Sequence, residues 1–556
     1  MTSAKRSARR LVSQTRDAVR TLTKARVLAG LRPDKYARMG AAFRREGITN
    51  TVGIAVSAQR CPNRPALIDD LGVLTYRELD MRANAFAAAL QQLPGGIPQM
   101  VGIMCRNHRW FVDALAASER IGAHVLLLNT SFAGPALAEV VRRERPDVIV
   151  YDQEFSASVN RAVSGQPGVT RITAWTDVPP DSVNTVETLI ARHAGQRPVH
   201  APRKPEVILL TSGTTGTPKG ARRAPGGGGS EGAAILGRLP WRAEETTVVA
   251  PPLFHAWGFG QLILGTMLSC TLVVQRTFDA AATMELVDRY HATGLSVVPV
   301  MLDRIMELPD EVRNRYSGRS LRFVSAAGSR MRPDVAIKFM DQFGDVIYNN
   351  YNATEVGVIA LAGPKDLRAA PDTAGKPMPG TEIRILDDSR CAVPRGEIGQ
   401  IFARTTTHFE AYTSGQTMDV HEGFMATGDI GYLDEAGRLF VVGRGDEMIV
   451  SGGENVYPIE VERTLAGHPA VAEVSAIGVD DEQFGQRLAA FVVLHAGGSA
   501  TPDELKQHVR DNLATYKVPR EIVILDELPR NAVGKILRRE LRAHLVGSGP
   551  AELTGA

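Results

Sequence analysis

The chain has 556 residues, 44% of them hydrophobic and 22% charged, enough for roughly three to four domain-sized units around large buried cores. Those values exclude a disordered chain, a collagen-like chain and a small disulfide scaffold. The net charge is only +3, yet residues 1–50 hold 13 basic against 3 acidic residues and sum to +10, so past that start nothing points to nucleic acid as a partner.

The 3.6-residue spacing of Leu11, Ala18, Leu22, Ala25 and Ala29 predicts a basic amphipathic helix over residues 8–29, ended by Gly30 and Pro33. Its arginines Arg6, Arg9, Arg10, Arg16 and Arg20 suit anionic lipid, hence peripheral membrane contact through residues 8–29. A solvated extension and an organellar transit peptide are the alternatives. No long apolar run follows these charges, so no signal peptide is expected and the setting reads as cytoplasmic, peripheral at the inner face of the membrane if the helix docks.

From about residue 60 strands and helices alternate. Ala66–Ile68 reads as a strand, and Thr75 with Glu78 forms a capping box that opens a helix. Met100–Met104, His124–Leu128 and Val148–Tyr151 read as strands separated by helices near 110–120 and 135–144. That βαβα order predicts a parallel sheet covered by helices. Residues 246–275 contain no Asp, Glu, Lys or Arg; Pro251, Pro252, His255 and Gln261 interrupt them, so a buried core segment is expected rather than a membrane span. Gly226–Ser230 reads as a mobile connector. Beyond residue 445 a small α+β unit follows. Pro458 starts a helix, Val471–Val479 and Leu488–Leu494 are strands, and Thr501 with Glu504 caps a helix over 505–513. A strand at 522–525 and a terminal helix at 536–545 complete it. The expected class is α/β, a large N-terminal domain of helix-covered β-sheets with a small C-terminal α+β domain. Its divisions are a basic extension (1–49), a large domain (50–444), a small domain (445–546) and a disordered tail (547–556). Cys61, Cys105, Cys270 and Cys391 have neither CxxC nor metal-ligand spacing, so a reducing setting without disulfides is expected.

The densest chemical signal is Thr211-Ser-Gly-Thr-Thr-Gly-Thr-Pro-Lys-Gly220, directly after the apolar run Val207–Leu210. Gly213 and Gly216 allow a tight backbone. Thr211, Ser212, Thr214 and Thr215 bring hydroxyls, and Lys219 brings positive charge, a composition suited to phosphate oxygens. Walker A is excluded, because Pro218, Lys219 and Gly220 stand where Gly-Lys-Ser/Thr would be needed.

This decapeptide resembles the signature of the adenylate-forming superfamily of acyl-CoA synthetases, luciferases and peptide-synthetase adenylation domains. The resemblance spans roughly residues 50–545, with further motifs in order. Tyr351-Asn-Ala-Thr-Glu355 is similar to the family's Tyr-Gly-x-Thr-Glu. It assigns Tyr351 to the adenine face, Thr354 to phosphate and Glu355 to Mg2+, a hard cation suited to carboxylate oxygen. Asn352 replaces the usual Gly, and Asn tolerates left-handed backbone angles. Ser325-Ala-Ala-Gly-Ser329 resembles the loop beside adenine and acyl group, where Ala327 and Gly328 leave room. Pro252-Leu-Phe-His255-Ala-Trp257 resembles the loop beside the acyl pocket, lined by His255 and Trp257; a plain core is the competing reading of both. Thr427-Gly-Asp429 implies a ribose contact by Asp429, with Arg444 on ribose and phosphate. Asp446 falls on the family's hinge, and Gly452 and Gly453 on the loop lining the CoA channel. Pro529-Arg-Asn-Ala-Val-Gly-Lys535 resembles the C-terminal motif whose Lys, here Lys535, reaches the nucleotide during adenylation.

The resemblance implies an AMP-forming acid–CoA ligase. ATP activates a carboxylic acid to acyl-AMP, and CoA then takes the acyl group, releasing AMP. The catalytic set is Lys535, Glu355, Thr354 and His255, with Mg2+ as cofactor and a small domain that is mobile between the steps. The uncharged stretch near His255 and the basic start tilt the expected acid toward a fatty acid. Delivery to a carrier-protein thiol is the alternative within the same chemistry, and a non-catalytic nucleotide or acyl sensor the alternative outside it. Oligomeric state is not legible.

Overall fold

The computed structural model describes residues 20–27, 30–132, 134–166, 168–177, 184–200, 205–211, 219–223, 228–353, 356–405, 409–412, 418–445, 449–451, 454–481, 485–513, 517–531 and 534–546. Contacts divide the chain into two compact units, one of Met1–Glu382 with Thr405–Met418, the other of Ile383–Arg404 with Asp419–Ala556.

The first unit contains two helix-covered sheets. In one, Pro65–Asp69, Thr271–Val274, Thr246–Val249, Gly294–Val297, Phe323–Ala326 and Ile347–Ala353 lie side by side and parallel. Antiparallel Gly72–Thr75 closes one edge, and Gly357–Ala362 with Lys376–Pro377 the other. In the second, Thr170–Thr173, Val148–Tyr151, Met100–Met104, His124–Leu127 and Val207–Thr211 are parallel, followed by antiparallel Lys219–Arg223 and Phe409–Tyr412. Short apolar runs make these strands because both faces are covered, which leaves no polar side to alternate with. The expected βαβα order therefore holds.

Local signals act where they were read. Thr75 Oγ1 accepts the Glu78 N–H at 3.2 Å while Glu78 Oε2 accepts the Thr75 N–H at 2.8 Å, opening Tyr76–Gln91. Thr501 and Glu504 repeat the box before Pro502–Asn512. The uncharged stretch is strand Thr246–Val249, helix Ala256–Met267 and strand Thr271–Val274, packed into the core. No helix among the described residues is long and apolar enough to cross a membrane.

Three expectations are corrected. Gly228–Arg238 is a helix, so the second half of the Gly226–Ser230 connector belongs to a regular element. Leu236 and Leu239, both buried, anchor that helix and override its glycines. Pro33 does not merely end the basic helix; it opens the next, Pro33–Glu46, at its first turn, where its missing N–H costs nothing. Within the basic start, the helix stops at Lys24 and residues 25–27 form a turn, with Arg20, Thr23, Lys24 and Arg26 exposed. Ala25 is buried, and Arg60 donates to the carbonyls of Arg26 and Val27. Residues 1–19 and 28–29, with the lipid-facing arginines Arg6, Arg9, Arg10 and Arg16, lie outside the described residues, as does the tail 547–556.

The second unit begins with an antiparallel sheet of Glu382–Leu386, Gly399–Arg404, Phe424–Leu433, Val420–His421 and Leu439–Arg444, closed over Leu386, Phe402 and Phe424. Glu454–Val456, Ile449–Ser451, Gly485–Leu494, Val471–Asp481 and Glu521–Ile524 form a further sheet. Helices Pro458–Ala466 and Pro502–Asn512 pack on it through Val461, Leu465, Leu505 and Val509. Contacts thus group residues 383–404 and 419–444 with the C-terminal residues. Past Glu382 the chain builds its own β-core, interrupted by Thr405–Met418, which returns to the first unit through Phe409–Tyr412.

Candidate functional site

In the first unit the glycine- and hydroxyl-rich decapeptide closes a hairpin. Val207–Thr211 ends at Thr211, the chain returns as Lys219–Arg223, and Thr211 pairs with Lys219 in register. The paired residues Thr211 and Lys219 stand at the C-terminal end of the parallel strand, where α/β sheets place ligands. Ser212, Gly213, Thr214, Thr215 and Gly216 themselves lie outside the described residues.

Tyr351 is half-buried on the strand Ile347–Ala353, opposite Ala360, and the register slips by one between Tyr351 and Asn352. Asn352 is not among the residues with positive φ; the slip, rather than a left-handed turn, accommodates it. Its Oδ1 is buried and meets no hydrogen-bond donor among the described residues, a vacancy that suits a ligand N–H such as an exocyclic amine. Thr354 and Glu355, one residue further along, lie outside the described residues.

Asn350, which the sequence reading missed, ties this strand to the small-residue loop. Its buried amide donates to Ser325 Oγ at 3.0 Å and to the Ala326 carbonyl at 3.2 Å. Ala327 is fully buried and Gly328 is exposed with φ +102°. A side chain there would be strained, and its Cβ would sit 4.0 Å from His255 Cε1 and 3.6 Å from Val298 Cγ1. His255 is the N-cap of Ala256–Met267, its Nδ1 accepting the Trp257 N–H at 3.4 Å. Chain folding therefore brings His255 and Gly328 together across a separation of 73 positions in SEQ numbering. Trp257 is 7% exposed, its indole N–H donates to the Val297 carbonyl at 3.0 Å, and it packs with Val298 and Ala327 in the main core.

A buried cluster was also missed. Cys105, His108 and Asp152 are all buried, with ligand-type atoms within 4.8 Å of one another. His108 Nε2 and Asp152 Oδ1 are 2.8 Å apart. Burial, aided by the Asp152 charge, pushes the Cys105 thiol well above its ordinary range. Burial also raises the Asp152 carboxyl, but hydrogen bonds from His108 and the Arg106 and Trp175 amides outweigh it, and the net shift is downward. The cysteine spacing could not announce this group, because Asp152 arrives from the neighbouring strand.

In the second unit Asp429 and Arg444 pair in register across a hairpin, with Oδ1 and Nη1 3.6 Å apart. Thr427 is buried; its hydroxyl accepts the Asp429 N–H and donates to the Ile401 carbonyl, both at 3.1 Å. Threonine in this triplet thus fixes the aspartate's backbone. Lys535 is exposed at the end of a pinned turn. Asn531 Oδ1 accepts the Lys535 N–H at 2.8 Å, and Arg530 donates to the Gly534 carbonyl at 2.8 Å and to Glu473 Oε2 at 2.6 Å. An exposed lysine next to these bonds is a fitting carrier for charge. Asp446, Gly452 and Gly453 lie outside the described residues.

Comparison with known proteins matches residues 54–413 to the AMP-binding enzyme family model and residues 460–535 to the model of the AMP-binding enzyme C-terminal domain. The chain is 32% identical over 485 residues to 2-succinylbenzoate–CoA ligase of Geobacillus kaustophilus, covering 86% of this chain and 95% of that one. It is 30% identical over 477 residues to indoleacetate–CoA ligase of Aromatoleum aromaticum, covering 84% and 92%. Among solved structures it resembles the o-succinylbenzoate CoA synthetase of Bacillus subtilis in complex with its acyl-adenylate intermediate, with a TM-score of 0.75 and 27% identity over 88% of this chain and 97% of that one.

Proposed function

This chain belongs to the family of AMP-binding enzymes, and from that premise we propose that it is an AMP-forming acid–CoA ligase. The carboxylate oxygen of the acid attacks the α-phosphate of ATP and pyrophosphate leaves. The deprotonated thiol of CoA then attacks the acyl carbon, and AMP leaves with the bonding electrons. A bare carboxylate lacks a good leaving group, and the adenylate supplies one.

In this reading the turn 212–218 and Lys219 hold phosphate oxygens, Tyr351 faces adenine and Asp429 binds the ribose hydroxyls. Arg444 presents a planar fork to ribose and phosphate, and Lys535 offsets the charge that builds at the α-phosphate. Mg2+ would neutralise the triphosphate beside Glu355. Asp446 as hinge and Gly452 and Gly453 beside CoA are part of the same proposal. The single observation behind it is that the matched spans contain both the hairpin pairing Thr211 with Lys219 and the pinned turn presenting Lys535.

The acid we propose is aromatic or aryl-bearing. A fatty acid was expected partly because residues 246–275 lack charge, but those residues are core elements whose apolar character burial explains without a ligand. The two relatives described above are named for 2-succinylbenzoate and indoleacetate. The test is carboxylate-dependent ATP–pyrophosphate exchange over a panel of aryl, arylalkyl and graded alkyl acids, followed by acyl transfer to CoA. Aryl acids giving the highest kcat/KM support the proposal; a preference for long alkyl acids returns the chain to the fatty-acid reading.

A further inference from the structure

Strand Met100–Met104 is where the second sheet changes direction: the next strand, His124–Leu127, lies on one side of it, and Val148–Tyr151 on the other. The loop leaving its C-terminal end, Cys105–His108, therefore stands at a topological switch point, where such sheets place ligands. Asn107, in this loop, is 4% exposed. Its Nδ2 donates to the Pro251 carbonyl at 2.9 Å, and its Oδ1 accepts the Leu253 N–H at 2.7 Å. One amide thus grips the backbone on both sides of Pro252, a residue with no N–H of its own to contribute.

That segment leads straight to His255. The His255 N–H donates to the Pro252 carbonyl at 3.1 Å. Helix Ala256–Met267 starts so close that a Cβ on Gly258 would lie 2.2 Å from the Pro252 oxygen. With no slack on the helix side, the position of Pro251–Leu253 sets the position of the imidazole. Asn107 is itself fixed from both neighbours. Asp152 accepts the Arg106 N–H at 2.9 Å through Oδ2 and bonds His108 Nε2 at 2.8 Å through Oδ1. Trp110 and Trp175 wedge the His108 ring with centroids 5.5 and 5.6 Å away.

We propose that Asn107 is a positioning residue for acid binding: it holds Pro251–Leu253, and through it His255, where the acid group is met, while the His108–Asp152 pair keeps Asn107 in place. The inference rests on the reading of His255 as a pocket residue.

The experiment compares wild type with Asn107→Ala, Asn107→Asp, His255→Ala and the Asn107→Ala/His255→Ala double variant. One readout needs no substrate: the imidazole NMR signal of His255, identified by its loss in His255→Ala. The other is the KM for acid and for ATP in pyrophosphate exchange. In Asn107→Ala the His255 signal moves, and the acid KM rises about tenfold with the ATP KM within about twofold. Asn107→Asp, which keeps the acceptor for Leu253 but loses the donor to Pro251, falls between. The double variant is no worse in acid KM than His255→Ala alone, the signature of one pathway. An unmoved His255 signal overturns the inference while leaving the pocket reading intact, as do additive effects in the double variant. A wild-type acid KM in His255→Ala overturns the pocket reading, and the inference with it.

Discussion

Asp429 and Arg444 face each other across one hairpin, with Oδ1 and Nη1 3.6 Å apart, and Arg444 is 43% exposed. Asp429 is largely covered, but its partner stands in solvent, and an ion pair of that length with one exposed member contributes little to stability, so a change at Asp429 should act on the ligand rather than on the fold. Asp429→Asn is expected to keep the melting temperature of wild type and to raise the ATP KM about tenfold, with the acid KM unchanged. Differential scanning calorimetry and exchange kinetics read both; a large loss of thermal stability would mark the pair as structural.

Lys535 projects from a turn that Asn531, Arg530 and Glu473 hold. Lys535→Ala should therefore remove charge without moving backbone. Acyl-adenylate formation falls by about a hundredfold or more, while thioester formation from supplied acyl-AMP stays within about threefold. Substituting Pro at Asp446 reverses the pattern. Equal losses in both half-reactions of Lys535→Ala would show that the two steps do not divide as proposed.

Gly328 faces His255 with a left-handed backbone. Gly328→Ala is expected to cost about 1 kcal/mol of stability through that backbone. It should also lower kcat/KM for the bulkiest acid of the panel more than for the smallest. A uniform drop across acids would place Gly328 outside the pocket.

Asp69 tests the acid limb of stability. Burial pushes its carboxyl up, but hydrogen bonds from the Arg109 guanidinium at 2.9 Å and the Arg109 amide at 2.9 Å outweigh it, and its folded pKa lies below the ordinary 3.8. A depressed carboxylate pKa contributes stability that is complete above the unfolded value and is lost as pH falls through the folded one. Asp69→Asn should cost about 2 kcal/mol at neutral pH, and the gap to wild type should narrow below pH 3.8. A constant gap across that window would contradict the assignment.

Where a signal is local, the sequence carries it. The Thr75 and Thr501 capping boxes, Pro458 at a first turn and the run Met100–Met104 each depend on neighbours within a few residues, and each stands in the structure. What could not be read depends on partners far along the chain. Asn107 meets Pro251 and Leu253 from another sheet, Asn350 meets Ser325, and Asp152 meets His108 across a parallel pair. The hydroxyl-rich signature was visible as composition, but its hairpin closure needed the register of Thr211 on Lys219. Trp257 beside His255 is compatible with a pocket wall and with a core on sequence alone, and its bond to the Val297 carbonyl depends on a strand forty positions away. Residues 383–404 and 419–444 group with the C-terminal residues and enclose a separate β-core around Phe402 and Phe424, contacts that no local signal announces.

The most direct measurement is radiolabelled pyrophosphate incorporation into ATP by the purified chain, with and without each acid of the panel. The account predicts incorporation that requires a carboxylic acid, is strongest with an aryl-bearing one and is lost in Lys535→Ala. Incorporation that is absent with every acid, or that proceeds equally without any, would contradict it.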